Sequence, residues 1–183
     1  MSELRTNRII PRDGIPSGAS GGGIIQVVFV ENSDVESLTS NSTPQLIPGL
    51  SATITPTRSD SKILVQVVFH ASIGGSYAAH YIVLRRGSTD INIGDAAGSR
   101  VRGSLALQTA TFWDDNSGAN YSMGQASLNF LDRPATTSAT TYGLYHADAD
   151  GTNSLYVNRQ RTDTDNNGFI RLASTITLME VSG

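Results

Sequence analysis

Apolar residues recur at every second position in many short segments of this chain, and this alternation limits its fold more than any other feature. The clearest segment is residues 62–70, KILVQVVFH. Its apolar residues on one side are Ile63, Val65, Val67 and Phe69. A period of two belongs to a β-strand with one buried face, whereas an amphipathic helix repeats every 3.6 residues. We find no convincing segment with the helical period, so the sequence predicts an all-β protein.

Segments with this pattern continue to within two residues of the C-terminus, and turns rich in Gly, Asn, Asp and Ser separate them. The predicted strands are residues 24–30, 50–55, 62–70, 77–86, 90–93, 105–113, 121–130, 140–146, 154–159 and 169–181. Short strands at this spacing are typical of antiparallel sandwiches and barrels, and we predict a jelly-roll-like β-sandwich. The last strand should lie centrally in its sheet, because a frayed terminal strand would waste much apolar surface. It should carry Ile170, Leu172, Ile176 and Leu178 on one side.

Residues 16–23, PSGASGGG, divide the chain into two unlike parts. Such a run orders poorly and makes a good hinge, because Gly loses much backbone freedom on folding. Residues 24–183 form the predicted β body, and residues 1–15 form an extended N-terminal arm that is too small to bury a core of its own. The arm residues that we predict to bind a partner are Arg5, Arg8, Ile9, Ile10 and Arg12. We expect the arm to order by lying across a neighbouring chain, for example as an added strand; the alternative is a disordered leader.

Composition excludes several classes of protein. The chain has 183 residues, the size of one domain, with a net charge of −3 and 16% charged residues. No strongly basic face is implied, which argues against binding of nucleic acid or anionic membrane. The absence of cysteine excludes a disulfide framework, a thiolate zinc site and a cysteine nucleophile. No signal peptide and no apolar run of about 18 residues is found, so we expect synthesis in a cytoplasm without membrane insertion.

Two motifs that suggest chemistry have plainer explanations. Residues 18–22 match the G-x-S-x-G pattern of a nucleophile elbow, but Pro16 precedes Ser20 where a strand is needed and a strand follows where a helix is needed. Residues 163–168, DTDNNG, match the start of a calcium loop, yet the twelfth position is Ser174 instead of a bidentate Glu.

We favour a hinge for the first motif. For the second we favour a type I′ hairpin at Asn167-Gly168, with a weak cation site as the alternative. Residues 148–151, DADG, are likewise interpreted as a polar turn, with a cation site as the alternative.

The remaining candidate residues do not form a recognisable site. His70, His80 and His146 are far apart in sequence, and a metal site needs three or four convergent ligands, which the sequence cannot demonstrate. We interpret them as ordinary sheet residues, with a histidine ring on a symmetry axis as the alternative. Residues 113–115, WDD, could hold a sugar beside two carboxylates, but a turn after a buried or interfacial tryptophan is the preferred interpretation. No cofactor is predicted.

Five stretches of the chain carry a resemblance to a known family. They are LRTNRIIPRDGIPSGASGGGIIQVV, GLSATITPTRSDSKILVQV, YIVLRRGSTDINIG, LDRPATTSATTYGL and TITLMEVSG. Together, and in this order, they resemble small virion structural proteins of tailed phages, especially cyanobacterial and marine phages. The resemblance covers nearly the whole chain. It implies a jelly-roll-like sandwich, typically trimeric, in a tail-fibre or tail-associated protein or in a capsid decoration trimer, and it carries no catalytic motif.

These observations predict a non-enzymatic protein of the phage virion surface. We expect a homotrimeric capsid decoration or cement protein that its arm anchors to capsid or tail proteins. The alternative is a tail-fibre or adhesin head that binds a host-surface glycan, with Trp113, Tyr121 or Tyr145 stacking on the sugar. An enzyme such as a capsule depolymerase would need a carboxylate pair in a groove, for which Asp114 and Asp115 are the candidates.

Overall fold

A computed structural model describes residues 23–74, 80–107 and 122–182. These residues form eleven β-strands and contain no helix. The strands are β1 (Ile24–Asn32), β2 (Glu36–Leu38), β3 (Gln45–Ile54), β4 (Lys62–Ile73), β5 (His80–Arg86), β6 (Thr89–Ile91), β7 (Leu105–Ala106), β8 (Gly124–Asp132), β9 (Thr140–Asp148), β10 (Leu155–Val157) and β11 (Ser174–Val181). The prediction of an all-β protein is confirmed.

Six strands form the first sheet, here called sheet A, around the long strand β4. Strand β8 pairs along one edge of β4, and β11 and then β10 pair along the other edge. Strand β1 lies beyond β11, and β2 lies beyond β10. All these pairings are antiparallel, so the broad part of sheet A has the order β1-β11-β4-β8.

Five strands form the second sheet, sheet B, in the order β3-β9-β5-β6, with β7 also on the free edge of β5. The pairings are again antiparallel. Strand β3 is irregular, because its register against β9 shifts between Leu46 and Ser51. Pro48 and Gly49 occupy the shift, and Gly49 has a φ of 72° that L-residues rarely adopt.

The strand order is that of a jelly roll. In a jelly roll eight strands wrap as antiparallel pairs, the first with the eighth, the second with the seventh, and so on inward. With β1, β3, β4, β5, β6, β8, β9 and β11 as those eight, the pairs β1–β11, β3–β9, β4–β8 and β5–β6 are all present. The sequence prediction of an antiparallel jelly-roll β-sandwich is therefore confirmed.

The hydrophobic core lies between the two sheets and is centred on β4. The inward side chains of β4, all 4% exposed or less, are Ile63, Val65, Val67, Phe69, Ala71 and Ile73. Strand β11 adds Ile176 and Leu178 beside them. Sheet B contributes the facing side, including Ile54, Leu84 and Leu144. The period-two pattern of residues 62–70 thus predicted the central strand of the core correctly.

The C-terminal strand is central, as predicted, because β11 lies between β1 and β4. Its predicted length is wrong, since β11 begins only at Ser174. Ile176 and Leu178 are fully buried, whereas Ile170 and Leu172 are 50% and 38% exposed. The physical reason is that residues 159–171 leave the sheet as a loop, which an isolated bridge between its two ends closes.

Other predicted elements shift in length or lie outside the described residues. Strand β2 was not predicted, because three residues with two polar side chains carry no periodic signal. Predicted strand residues 77–79, 108–113 and 121 lie outside the described part of the chain. The arm of residues 1–15 and all of the hinge except Gly23 do so as well, and the roles predicted for them stay predictions.

A glycine pair tests the irregular strand β3. A Cβ atom added at Gly49 would lie 2.7 Å from Cγ and Nδ2 of Asn32, a buried side chain that donates a hydrogen bond to the Pro48 carbonyl. Gly87 also has a positive φ, 57°, but a Cβ there meets nothing within 4 Å. We expect Gly49→Ala to lower the free energy of unfolding by about 3 kcal/mol, and Gly87→Ala by about 1 kcal/mol from backbone strain alone. Urea unfolding of both variants checks this, and equal losses would contradict the role given to Asn32.

Candidate functional site

One register row on the outward side of sheet A is apolar across the full width of the sheet. This row crosses all four broad strands and consists of Val27 on β1, Met179 on β11, Leu64 on β4 and Leu131 on β8. Neighbouring strands lie about 4.8 Å apart, so the row is a continuous apolar strip about 14 Å long. We call the outward side of β1, β11, β4 and β8 the outer face of sheet A.

Most of the exposed apolar side chains of the described residues belong to this face. Ten large apolar residues are exposed, and six of them are on these strands: Ile24, Ile25, Val27, Phe29, Val68 and Leu131. Val27 and Phe29 are 54% and 57% exposed, while the alternate residues Val28 and Val30 point inward and are half-buried. Contiguous apolar patches on soluble proteins mark surfaces that bind other molecules. The apolar run of β1 therefore supplies both the core and an unpartnered surface.

The outward side of sheet B is polar and its groups pair with one another. Thr53 and Thr141 share a hydrogen bond of 2.7 Å between their hydroxyls. Arg85 donates to Asp90 at 2.6 Å, and its guanidinium carbon lies 4.4 Å from the centre of the Tyr145 ring. Among the described residues the two sides of the sandwich thus differ, and the outer face of sheet A carries more of the exposed apolar surface than the outward side of sheet B.

Tyr145 was one of the aromatic residues predicted to stack on a sugar. Arg85 covers one face of its ring, so that face is not open to a ligand. The other two candidates, Trp113 and Tyr121, lie outside the described residues, as do Asp114, Asp115 and Ser20. The predicted arm contacts, Arg5, Arg8, Ile9, Ile10 and Arg12, lie outside them too.

A buried polar contact joins the two sheets at one end of the sandwich. Asp132, at the end of β8 in sheet A, accepts hydrogen bonds from Arg86 of β5 and Tyr142 of β9 in sheet B. The distances are 2.8 Å to Arg86 and 2.6 Å to Tyr142. Burial, with the carboxylate as its hydrogen-bond acceptor, raises the pKa of Tyr142 far above its ordinary value. The contact balances a buried negative charge and is structural, since both partners of Asp132 are committed to it.

Glu180 is a second buried carboxylate, on the inward side of β11. It accepts hydrogen bonds from the Gln26 side chain and from the backbone and hydroxyl of Thr57, at 2.6–2.8 Å. Burial alone would raise its pKa, but the hydrogen bonds outweigh burial and lower the pKa to about 2. Glu180 thereby connects Thr57, in the segment between β3 and β4, to β1 and β11.

Two of the three histidines meet inside the sandwich, which the sequence could not predict. Nδ1 of His80 on β5 lies 2.7 Å from Nε2 of His146 on β9, and the rings stack with their centres 5.0 Å apart. Both side chains are at most 3% exposed. Burial, and then the charge that His80 would carry, lower the pKa of His146 to about 4; burial also lowers the pKa of His80. The pair is therefore neutral near pH 7 and shares one proton across the short contact.

The pair is not arranged to hold a metal ion. Nitrogens that bind zinc each lie about 2.0–2.1 Å from the ion, whereas these two nitrogens face each other at hydrogen-bond distance. The third histidine, His70, is engaged elsewhere through Nδ1 and the Ala173 carbonyl at 2.8 Å. No group of three or more metal-ligating side chains occurs within the described residues.

Residues 148–151, which were predicted to form a polar turn, do form a turn. Gly151 has a φ of 64° and donates to the Asp148 carbonyl. The Asp148 carboxylate accepts from the backbone amides of Asp150, Thr152 and Asn153 and from the Ser40 hydroxyl. Burial works to raise the pKa of Asp148, but these hydrogen bonds prevail and lower it. The carboxylate organises the turn and needs no cation to balance it.

The turn predicted at Asn167-Gly168 has a different form. A type I′ turn needs a positive φ at both central residues, and neither residue has one. Phe169 donates to the Asn166 carbonyl, and the Asn166 side chain accepts from Gly168. The turn is therefore centred on Asn167-Gly168 as predicted, but it is not of type I′, because the Asn166 side chain stabilises a conformation without positive φ.

The loop that contains this turn borders an open groove. Arg171 donates to both carboxylate oxygens of Asp163, at 2.9 and 3.0 Å. The carboxylate expected to begin a calcium loop is thus neutralised by an arginine, which lowers its pKa. The groove has a volume of about 600 Å³ and is lined mainly by residues 162–166 and 169–171.

Comparison with known proteins adds little to this geometry. No family model and no curated protein matches the sequence. The infectious bursal disease virus VP2 subviral particle matches with 12% identity over 85% of this chain and 38% of that chain, with a TM-score of 0.39. The structure of the Gx strain of that virus matches with 10% identity over the same shares, with a TM-score of 0.38. The chain spans about two fifths of the length of these viral proteins, and the fold rests on the strand order and not on this similarity. The described residues contain no helix long and apolar enough to cross a membrane.

The histidine pair makes stability depend on pH. In the unfolded chain His146 takes up a proton near pH 6.5, but in the folded protein it does so only near pH 4. Stability from the neutral pair is therefore complete above pH 6.5 and is lost as the pH falls towards 4. We expect the free energy of unfolding to drop by about 2 kcal/mol between pH 7.5 and 5. A variant with His80→Gln and His146→Gln should lose much less over this range. Urea titrations at the two pH values measure both changes, and parallel losses would exclude the pair as the cause.

Proposed function

We propose that this protein is a structural component of a phage virion surface, a homotrimeric capsid decoration or cement protein that its N-terminal arm anchors. The observation that carries the proposal is the contrast between the two sides of the sandwich. A body with one apolar and one polar outer face is suited to pack against neighbouring protein on one side and to face solvent on the other. Jelly-roll domains are a common building unit of viral shells. The sequence resemblance to tailed-phage virion proteins supports the same role.

The chemistry of the arm favours a protein that holds neighbouring subunits together over one that only covers the surface. The 22 residues before Gly23 can span about 70 Å when extended, which is longer than a domain of this size is wide. Three arginines flank the apolar pair Ile9 and Ile10. Arginine forms fixed, bidentate pairs with carboxylates at interfaces, and the apolar pair can fill a small pocket. An arm of this chemistry can cross to an adjacent subunit and hold it.

Deletion of residues 1–22 tests the anchor. The shortened chain should keep the fold of residues 23–183 but no longer bind particles, because the body alone lacks the anchoring contacts. The measurement is binding to particles that have been stripped of this protein, followed by sedimentation of the particles.

A matched control separates the arm from general charge effects. Replacement of Arg5, Arg8 and Arg12 by Ala should weaken particle binding, whereas replacement of the exposed body arginines Arg58, Arg100 and Arg161 removes the same charge and should not. Normal decoration by the shortened chain would contradict the anchoring role.

The position on the virion is tested directly by immunogold labelling with an antibody against the body. Label spread over the head is expected of a decoration protein. Label confined to the tail would instead favour a tail-fibre or adhesin head, and label on neither would overturn the virion role.

The groove beside residues 162–171 favours one alternative function, an adhesin head that binds a host-surface glycan. Sugars bind where carboxylates, amides and an aromatic ring lie together, and Asp165, Asn166 and Phe169 line this groove. If this alternative holds, a glycan array should give hits that Asn166→Ala removes and that Asn129→Ala, on the outer face of sheet A, leaves intact. An array without hits at high protein concentration would exclude the alternative.

A further inference from the structure

We propose that the buried contact between His80 and His146 is a pH-sensitive switch, which opens when both rings are protonated and then releases strand β7 from β5. The inference goes beyond the structural role proposed above and does not depend on it. It also goes beyond a general loss of stability in acid, because it assigns the first change to one edge of sheet B. It rests on the geometry of the two rings, on a cavity beside them and on the short attachment of β7.

The contact between the two rings has room for one proton only. Nδ1 of His80 lies 2.7 Å from Nε2 of His146, so one nitrogen donates an N–H and the other accepts it. A doubly protonated pair has an N–H on every ring nitrogen and no acceptor between the rings. Two like charges at this distance also repel each other. The rings of a doubly protonated pair must therefore move apart.

The surroundings of the pair do not balance a second positive charge. Within the described part of the chain, the charged or titratable groups that act on either ring are the other ring and Asp148, and none comes from β7 or from sheet A. Asp148 lies directly opposite His80 in the register of β5 and β9. Its carboxylate already accepts hydrogen bonds from three backbone amides of its own turn and from the Ser40 hydroxyl. Held in this way, one carboxylate can offset the charge of one imidazolium and leaves the second unbalanced.

His80 is the ring that moves. Its Nε2 is buried without a hydrogen-bond partner among the described residues, so the contact with His146 is the one hydrogen bond that holds the ring there. His146 lies on β9, which pairs with β3 on one side and with β5 on the other. His80 is the first residue of β5 and borders a cavity of about 320 Å³. The cavity has room for the ring and for the water that its free N–H groups require.

One wall of this cavity is weakly attached. Residues 103–107, here called the strap, contain β7, and residues 103–106 line the cavity. Strand β7 pairs with β5 at two positions, Tyr81 with Ala106 and Ile82 with Leu105, whereas β9 pairs with β5 at seven. A charged ring in the cavity needs water around it. The two pairs of β7 are the smallest contact that has to break to admit that water.

The strap should detach from one end. Continuation of the register places Leu107, a buried core residue, opposite His80. The other end is held more firmly, because the Ser104 amide donates to the Ile82 carbonyl at 2.7 Å and the Ser104 hydroxyl accepts from the Leu84 amide at 2.8 Å. The movement of His80 therefore loosens the Leu107 end of the strap first and leaves Ser104 as the hinge.

The linkage between protonation and opening sets the size of the effect. In the closed form burial, and then the charge of His80, lower the pKa of His146 to about 4. In the open form water reaches the ring, and its pKa returns to its ordinary value of 6.5. The closed form is therefore fully favoured above pH 6.5, and this preference is lost as the pH falls towards 4. Between pH 7.5 and 5 the equilibrium constant for opening should rise about 30-fold.

Amide hydrogen exchange of the full chain at pH 7.5 and 5, corrected for the chemical exchange rate, tests the switch. Opening of the strap should increase about 30-fold at pH 5 and should hardly change in about 1 M urea, because a local opening exposes little surface. Residues 62–73 of β4 should exchange far more slowly and should accelerate in urea, because they open by unfolding of the whole protein.

These readouts need no substitution and no virus particles. Strap exchange that does not depend on pH would overturn the proposal. So would strap exchange that depends on urea as strongly as exchange of β4 does, because the strap would then open only when the whole protein unfolds.

A pair of variants identifies the rings responsible. With His80→Gln and His146→Gln together, opening of the strap should change less than about threefold between the two pH values, because neither ring remains to take up a proton. His70→Gln is the matched control, since His70 contacts the Ala173 carbonyl in another part of the protein. It should keep the full change. A change of about 30-fold that persists in the double variant would assign the switch to other groups and overturn the proposal.

Discussion

The inward side of β4 is the contact on which the rest of this structure depends. Its alternating apolar residues, from Ile63 to Ile73, form the middle of the core, and its two edges organise sheet A. Because the side-chain period of a strand is two, a slip of one residue would turn this whole row to the outside. Burial of the inward row of β4 therefore fixes the register of β8, β10 and β11, which all pair with β4. The jelly-roll order follows because these strands are distant in sequence and still lie beside β4.

The sequence was most informative where one strand carries its own signal. The pattern of residues 62–70 predicted β4, and the apolar C-terminal segment predicted the central position of β11. Where a loop carries apolar residues at the same spacing, as Ile170 and Leu172 do, the pattern predicts a strand that is absent. At residues 166–169 the Asn-Gly signal placed the turn correctly and only the turn type was wrong, because the Asn166 side chain stabilises a conformation without positive φ.

The candidate sites were less predictable because they depend on pairing between distant strands. His80 and His146 are 66 residues apart and meet only through the register of β5 with β9. Asp132, Arg86 and Tyr142 likewise come from three strands of two sheets. Part of the outer face of sheet A could be predicted from the sequence, because β1 has more consecutive apolar residues than a strand with one buried side requires. What remained hidden was that Met179, Leu64 and Leu131 continue its row across the sheet.

The place of β1 in the sheet determines how the protein bears mechanical load. The arm enters β1 at Ile24, and β1 pairs antiparallel with β11 from Ile24 opposite Val181 to Asn32 opposite Ser174. A pull on the arm along the strand direction shears this whole ladder, so that its hydrogen bonds resist together. A pull at right angles to the strand would open them one by one, beginning at Ile24. The direction of a pull on Ile24 therefore decides whether the hydrogen bonds between β1 and β11 break together or one after another.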